Sequence, residues 1–205
     1  MILHSDRPEL AATGGAAFPD TIVLHCGQDE SPLCIAPASG MTYRIVARDA
    51  STCSRLVQQT LCNPHAELLP HSGGLLSNLS VLENVVLPAV YHGRVATTQL
   101  AERVYDEFAA CGLARSEAER FCTKAVSELS EFERRLAALV RSLIMRPAVL
   151  VMERIFEGLT IRDMEQVRRF GEYYRCGVAD GTLIVFDLAG ISSPDIVYDV
   201  QTEAQ

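Results

Sequence analysis

Thiols are the first groups in this 205-residue chain that could do chemistry, as Cys26, Cys34, Cys53, Cys62, Cys111, Cys122 and Cys176. They are odd in number and scattered, and no Cys-x-x-Cys pair occurs, so neither a disulfide framework nor a zinc site is signalled. Cys53 is the one placed for reactivity. It falls at the start of a helix, where a thiol pKa drops, and His25, His65 or His71 would be the available bases. No motif ties any of these histidines to it, so the simpler expectation is small buried side chains in a reduced compartment. Glu131 and Glu133 fall in the first turn of another helix, where carboxylates suit the macrodipole by about 0.3–1 kcal/mol each and repel an arriving phosphate.

The elements that position these groups follow from pattern. Residues 21–26 and 32–36 are short apolar runs ended by turn residues and suit a hairpin. Residues 42–47 form a β-branched strand that stops at Arg48-Asp49-Ala50-Ser51, and an amphipathic helix is expected over 54–61. Asn63-Pro64 breaks it, residues 66–70 read as a short strand, and Ser72-Gly73-Gly74 as a loop. Helical spacing runs over 81–114, with Leu100, Val104, Phe108 and Cys111 on one face, and a polar helix follows over 115–124. The clearest helix spans 130–145, opened by Ser130 and Glu133 as a capping box and stopped by Arg146-Pro147. Residues 148–152 and 183–186 are apolar runs of the buried-parallel type, separated by a helix over 162–175. Strands alternating with helices predict an α/β layered fold with a mainly parallel sheet.

Composition bounds the partners. Hydrophobic residues are 48% of the chain, enough for a sizeable core. The formal charge of −8 and the absence of a basic run interleaved with aromatics argue against nucleic acid. The N-terminus lacks a basic flank before an apolar stretch, so no signal peptide is expected. The most apolar stretch is cut by Glu83, Asn84 and Pro88, so any membrane role is expected to run through a partner.

Three blocks carry a family resemblance. Gly73-Gly74-Leu75-Leu76-Ser77-Asn78-Leu79-Ser80-Val81-Leu82-Glu83-Asn84-Val85 resembles the segment after the Q-loop in ABC-transporter ATPases. It is especially similar to the subunits that power phospholipid transport with MCE-type proteins. Leu129-Ser130-Glu131-Phe132-Glu133-Arg134 through Arg146-Pro147 is similar to the signature helix. Residues 148–160 are similar to the Walker B strand and D-loop, with Glu157-Gly158-Leu159-Thr160 echoing the latter.

The resemblance implies a P-loop NTPase-like (ABC ATPase) α/β domain over residues 21–190, with a helical subdomain over about 82–127 and a shortened antiparallel β region. A loose segment, 1–20, would precede it and a tail, 191–205, would follow. At the sites the resemblance implies loss. The phosphate loop needs Gly-x-x-x-x-Gly-Lys-Ser/Thr, and the chain has Ala47-Arg48-Asp49-Ala50-Ser51-Thr52-Cys53-Ser54. Both glycines are gone, and Cys53 replaces a lysine contact worth about 1.5–3 kcal/mol. His71 stands at the Q-loop glutamine, and is expected to be a solvent-exposed loop residue. Leu129 and Ser130 keep the signature's start, while Glu131 begins its divergence. Glu153 and Arg154 occupy the Walker B pair, and Arg154 cannot serve as a general base because it stays protonated. Asp187 takes the place of the switch histidine.

The implied function is a non-catalytic, pseudo-ATPase subunit of a membrane transport assembly, with lipid as the cargo the resemblance implies and no cofactor expected. Its partners would be a permease, docking on residues 75–91, and a competent ATPase or a second copy. It would sit in the cytoplasm at the inner face of the membrane. The alternative is a weakly active ATPase holding magnesium through Ser54 and Glu153, with ATP as its cofactor.

Overall fold

Strands in this chain are short runs of β-branched and aliphatic residues, and the most apolar of them occupy the middle of the sheet. The computed structural model describes residues 21–25, 32–38, 40–92, 97–177, 181–190 and 200–204. A five-stranded sheet has the order β4–β5–β6–β3–β7, formed by Ala66–Leu69, Val149–Glu153, Thr182–Leu188, Thr42–Ala47 and Val200–Ala204. Every pairing within it is parallel. Ile22–Leu24 (β1) and Leu33–Ile35 (β2) form a separate antiparallel pair. Val149, Leu150, Val151, Ile184, Val185 and Phe186 are fully buried, as expected of strands covered on both faces.

Alternation along β5 and β6 divides the core in two. Leu150, Met152, Leu183 and Val185 join a large cluster with α2 (Val81–Tyr91), α3 (Thr97–Ala110), α4 (Arg115–Cys122), α5 (Glu131–Met145) and α6 (Ile161–Gly177). Val149, Val151, Ile184 and Phe186 face the opposite way, onto α1 (Ala50–Thr60) and the β1–β2 pair. The result is a parallel sheet flanked by helices with a small antiparallel sheet beside it. The pairing of Ala47 with Leu188 and of Glu153 with Phe186 brings the carboxyl ends of β3, β5 and β6 to one edge of the sheet. That is the edge where ligands of open α/β sheets bind.

Three differences from the sequence reading have physical causes. The helix expected from residue 54 begins at Ala50, because the Asp49 carboxylate accepts the Thr52 N–H and caps an additional turn. The helical run over 81–114 is two helices, α2 and α3, with residues 93–96 outside the described set. Within the segment read as a tail, β7 adds in parallel to β3, from Tyr43↔Val200 to Ala47↔Ala204. Val200-Gln201-Thr202-Glu203-Ala204 is too polar to announce itself as a buried strand, and it takes an edge position. Residues 1–20 and 191–199 lie outside the described residues.

Candidate functional site

At the carboxyl edge, Ala47 ends β3 fully buried, and only Arg48 and Asp49 separate it from α1. Asp49 Oδ1 accepts the Thr52 N–H at 2.8 Å, and Oδ2 accepts the Thr52 hydroxyl at 3.3 Å and Arg48 Nε at 3.1 Å. These bonds, the backbone one foremost, hold the Asp49 carboxyl below the usual aspartate range. The N–H groups at a helix start are what would receive a phosphate oxygen. Here the Asp49 carboxylate supplies an anion to one of them, the Thr52 N–H. Ala50 and Ser51 are exposed on the first turn, while Thr52 is buried against its cap.

Cys53 does not behave as a helix-start thiol. It is fully buried, and burial pushes its pKa up to about 12, with the negative charge of Glu153 adding to the rise. The reactive-thiol reading is therefore corrected: desolvation outweighs the helix end. The expectation that the cysteines are buried holds for Cys53, Cys111 and Cys122, whereas Cys34 and Cys62 are exposed. Cys26 and the side chain of Cys176 lie outside the described residues.

Ser54 and Glu153 do meet: the exposed hydroxyl donates to Glu153 Oε1 at 3.1 Å. Arg154, next along, has a left-handed backbone (φ 50°), a conformation that costs a non-glycine residue about 1–2 kcal/mol. Its N–H donates to Phe186 O at 2.7 Å, and its guanidinium forms an ion pair with Glu157. Asp187 sits inside β6, fully buried, and accepts Arg44 Nε at 2.9 Å; burial raises its carboxyl above the usual range, and Arg44 opposes that rise.

The second group of residues surrounds the start of α5. Leu129 is buried, and the Ser130–Glu133 capping box forms as read: Ser130 Oγ accepts the Glu133 N–H at 3.2 Å and Glu133 Oε2 accepts the Ser130 N–H at 2.8 Å. Glu133 also takes Lys124 Nζ at 2.6 Å. Glu131 is exposed, 3.8 Å from Arg135. His71 is half-buried rather than exposed, because the chain around it is drawn onto α5. Its carbonyl accepts Arg135 Nε at 2.6 Å, and its Nδ1 is covered with no hydrogen-bond partner.

Arg135 is the residue the sequence did not single out. Buried to 2% exposure, it also donates to Ile155 O at 3.0 Å and Glu157 O at 2.6 Å. It ties the loop after β4 and the loop after β5 to α5, and so links the two groups of site residues. Asn84 plays a similar part in α2: it accepts the Leu76 N–H at 2.7 Å and donates to Leu76 O at 3.0 Å, Leu79 O at 3.3 Å and Ser80 O at 3.0 Å. Gly73, at φ 82°, completes the arrangement; a Cβ there would stand 2.7 Å from Arg134 O. The only local hint of these ties was a polar side chain at an otherwise apolar helical position.

No protein-family model and no curated protein sequence matches this chain. Solved structures do match. The dimeric post-hydrolysis state of the ATP-binding cassette MJ0796, bound to ADP and Pi, is 15% identical with a TM-score of 0.63, covering 82% of this chain and 84% of that one. A second dimeric structure of MJ0796, a bacterial ABC transporter cassette, is 14% identical at TM-score 0.64, covering 82% and 86%. The third is cbiO1 from Clostridium perfringens, part of the ABC transporter complex cbiONQ. It is 15% identical at TM-score 0.63, covering 83% of this chain and 77% of its own. The fold is that of an ABC-transporter ATPase cassette. At these identities the likeness is one of fold.

Proposed function

We propose that this chain is a non-catalytic ABC-type subunit of a membrane transport assembly, one that docks on a permease rather than hydrolysing ATP. The observation that carries this reading is Asp49, whose carboxylate fills the anion position at the start of α1. The residues present do not fit a magnesium–triphosphate group. The β3–α1 connection is short, its Thr52 N–H is taken by the Asp49 carboxylate, and its one cation, Arg48, is paired with the same carboxylate. Cys53 is buried where a lysine would reach out, and Arg154 supplies a permanent cation where a general base would stand.

The docking side supports the same reading. In the segment 75–91, Val81, Val85 and Ala89 are fully buried, while Leu76 (50%), Leu87 (42%), Val90 (43%) and Tyr91 (83%) are exposed. Contiguous exposed apolar residues mark interaction surfaces. No helix among the described residues is long and apolar enough to cross a membrane. In this reading the chain works from the cytoplasm at the inner membrane face, through a permease, beside a competent ATPase or a second copy. Phospholipid as cargo rests on the resemblance of residues 73–88 alone.

One observation favours the weakly active alternative: the Ser54–Glu153 pair keeps the hydroxyl–carboxylate contact that would flank a magnesium ion. Phosphate release from ATP with magnesium separates the two, using the wild-type chain and Arg154→Glu. Our reading predicts no turnover from either. Turnover by wild type, or its appearance in Arg154→Glu, would favour the alternative.

A further inference from the structure

Three separate segments meet around a pocket of about 290 Å3: the loop after β4, the turn at Val126–Glu128 and the start of α5. Ser72, Leu75 and Ser77 line it from the loop, Val126 and Ser127 from the turn, and Arg134 from α5. Arg141, two turns along α5, fixes the loop in place by donating to Gly74 O at 3.0 Å and Gly73 O at 3.3 Å. Arg134 Nε is covered and has no hydrogen-bond partner, and a covered guanidinium N–H without an acceptor is costly. The nearby carboxylates are committed elsewhere. Glu133 holds Lys124 and the Ser130 N–H, Glu128 holds the Ala125 N–H, and Glu131 lies toward Arg135. No lining residue is acidic. The hydroxyls of Ser72, Ser77 and Ser127 make no hydrogen bond among the described residues. In a chain of net charge −8 this is a local positive site, rich in donors that no acceptor engages.

We infer that this pocket binds a single phosphoryl group, as inorganic phosphate or as a small phosphate monoester. A carboxylate is planar and offers two oxygens, whereas a phosphoryl group is tetrahedral and offers three. Three oxygens match donors that arrive from three segments. Arg134 supplies the charge-assisted bonds and the missing use for its Nε–H, and Ser72, Ser77 and Ser127 donate hydroxyls to the remaining lone pairs. The volume lies just below the roughly 300–1,000 Å3 of sites that hold larger small molecules. A phosphoryl group with a small substituent therefore fits, and a nucleoside triphosphate does not. Neither the β3–α1 connection nor Ser130 lines this pocket, so the anion is held apart from the place where the fold would take nucleotide. Phosphoryl binding here requires no permease, and its failure would leave the docking reading standing.

The test has two arms on the full chain, with inorganic phosphate and with phosphatidylcholine vesicles containing phosphatidic acid, whose headgroup is a phosphate monoester. Phosphate is titrated by calorimetry at constant ionic strength, with chloride as the reference anion, and vesicle binding is read by sedimentation. One phosphate should bind per chain and raise the melting temperature where chloride does not. Arg134→Gln should weaken binding at least tenfold. Ser127→Glu, which brings a carboxylate to the pocket from within, should abolish it. Arg162→Gln, which removes an exposed cation of α6, should leave it unchanged. Melting of each variant without ligand establishes that it is folded. Phosphate binding without vesicle binding assigns the group to a soluble ligand, and vesicle binding lost on Arg134→Gln assigns it to a lipid headgroup. The proposal is overturned if neither ligand binds in a manner that depends on Arg134 at about 10 mM phosphate, or if chloride stabilises the chain as much as phosphate does.

Discussion

The carboxyl edge of the sheet and the segment that runs from the β4 loop into α2 belong to one domain, yet their polar and apolar groups stand in opposite condition. At the edge the chain answers its own needs: Asp49 caps α1, Ser54 meets Glu153, Arg154 meets Glu157 and Arg44 meets Asp187. One buried oxygen of Asp187 is the exception. Along the other segment Leu76, Leu87, Val90 and Tyr91 are exposed, and Arg134 of α5, which lines a pocket with the β4 loop, keeps a covered N–H without an acceptor. A site saturated by internal partners gains little from a ligand, because each new contact must first break an existing one. A surface with unmet groups gains on association. The difference teaches where to look for function in this fold.

The comparison breaks most visibly if the edge proves open. Iodoacetamide should modify Cys34 and Cys62 readily and reach Cys53 only when the chain unfolds. For a domain of ordinary stability that protection is on the order of 1,000-fold or more. Rapid modification of Cys53, followed by peptide mass spectrometry, would mean the start of α1 is accessible after all.

A smaller effect sharpens the link between the two regions. Arg135→Ala leaves the His71, Ile155 and Glu157 carbonyls without their buried donor and should cost about 3–5 kcal/mol in urea unfolding. A loss under 1 kcal/mol would show that the two loops hold without α5.

The smallest effect is a slope with pH. Burial raises the Asp187 pKa above 3.8, so the folded chain binds that proton more tightly than the unfolded one. Its contribution to stability is therefore full below 3.8 and is lost as pH rises through the raised value. Asp187→Asn abolishes that titration, so the gap between wild-type and variant stability should change with pH in that window. A constant gap would place the Asp187 carboxyl at its ordinary value.

Local signals were legible in the sequence and long-range ones were not. Ser130 and Glu133 announced their capping box from four residues, and periodicity placed the middle strands and α5 close to their observed bounds. The same local reading missed Asp49 as a cap because it was compared with a loop that wraps phosphate, not with a helix start. His71 was misjudged for a different reason, and the reactive alternative for Cys53 fails on the same ground. Burial depends on what the fold lays over a residue, and neither the α5 contact nor the two-sided sheet is written next to them. Arg135 and Asn84 hold segments 64 and 8 residues away, respectively, and only the shorter of those ties lies within reach of local pattern. β7 escaped because an edge strand needs backbone pairing more than apolar side chains.

The central claim is that this cassette fold does not take nucleotide, and titration calorimetry of the purified chain with millimolar ATP and magnesium addresses it most directly. The account predicts no heat of binding and no rise in melting temperature. Binding tighter than about 100 μM, which corresponds to roughly 5.5 kcal/mol, would contradict it and show that the closed start of α1 still admits phosphates.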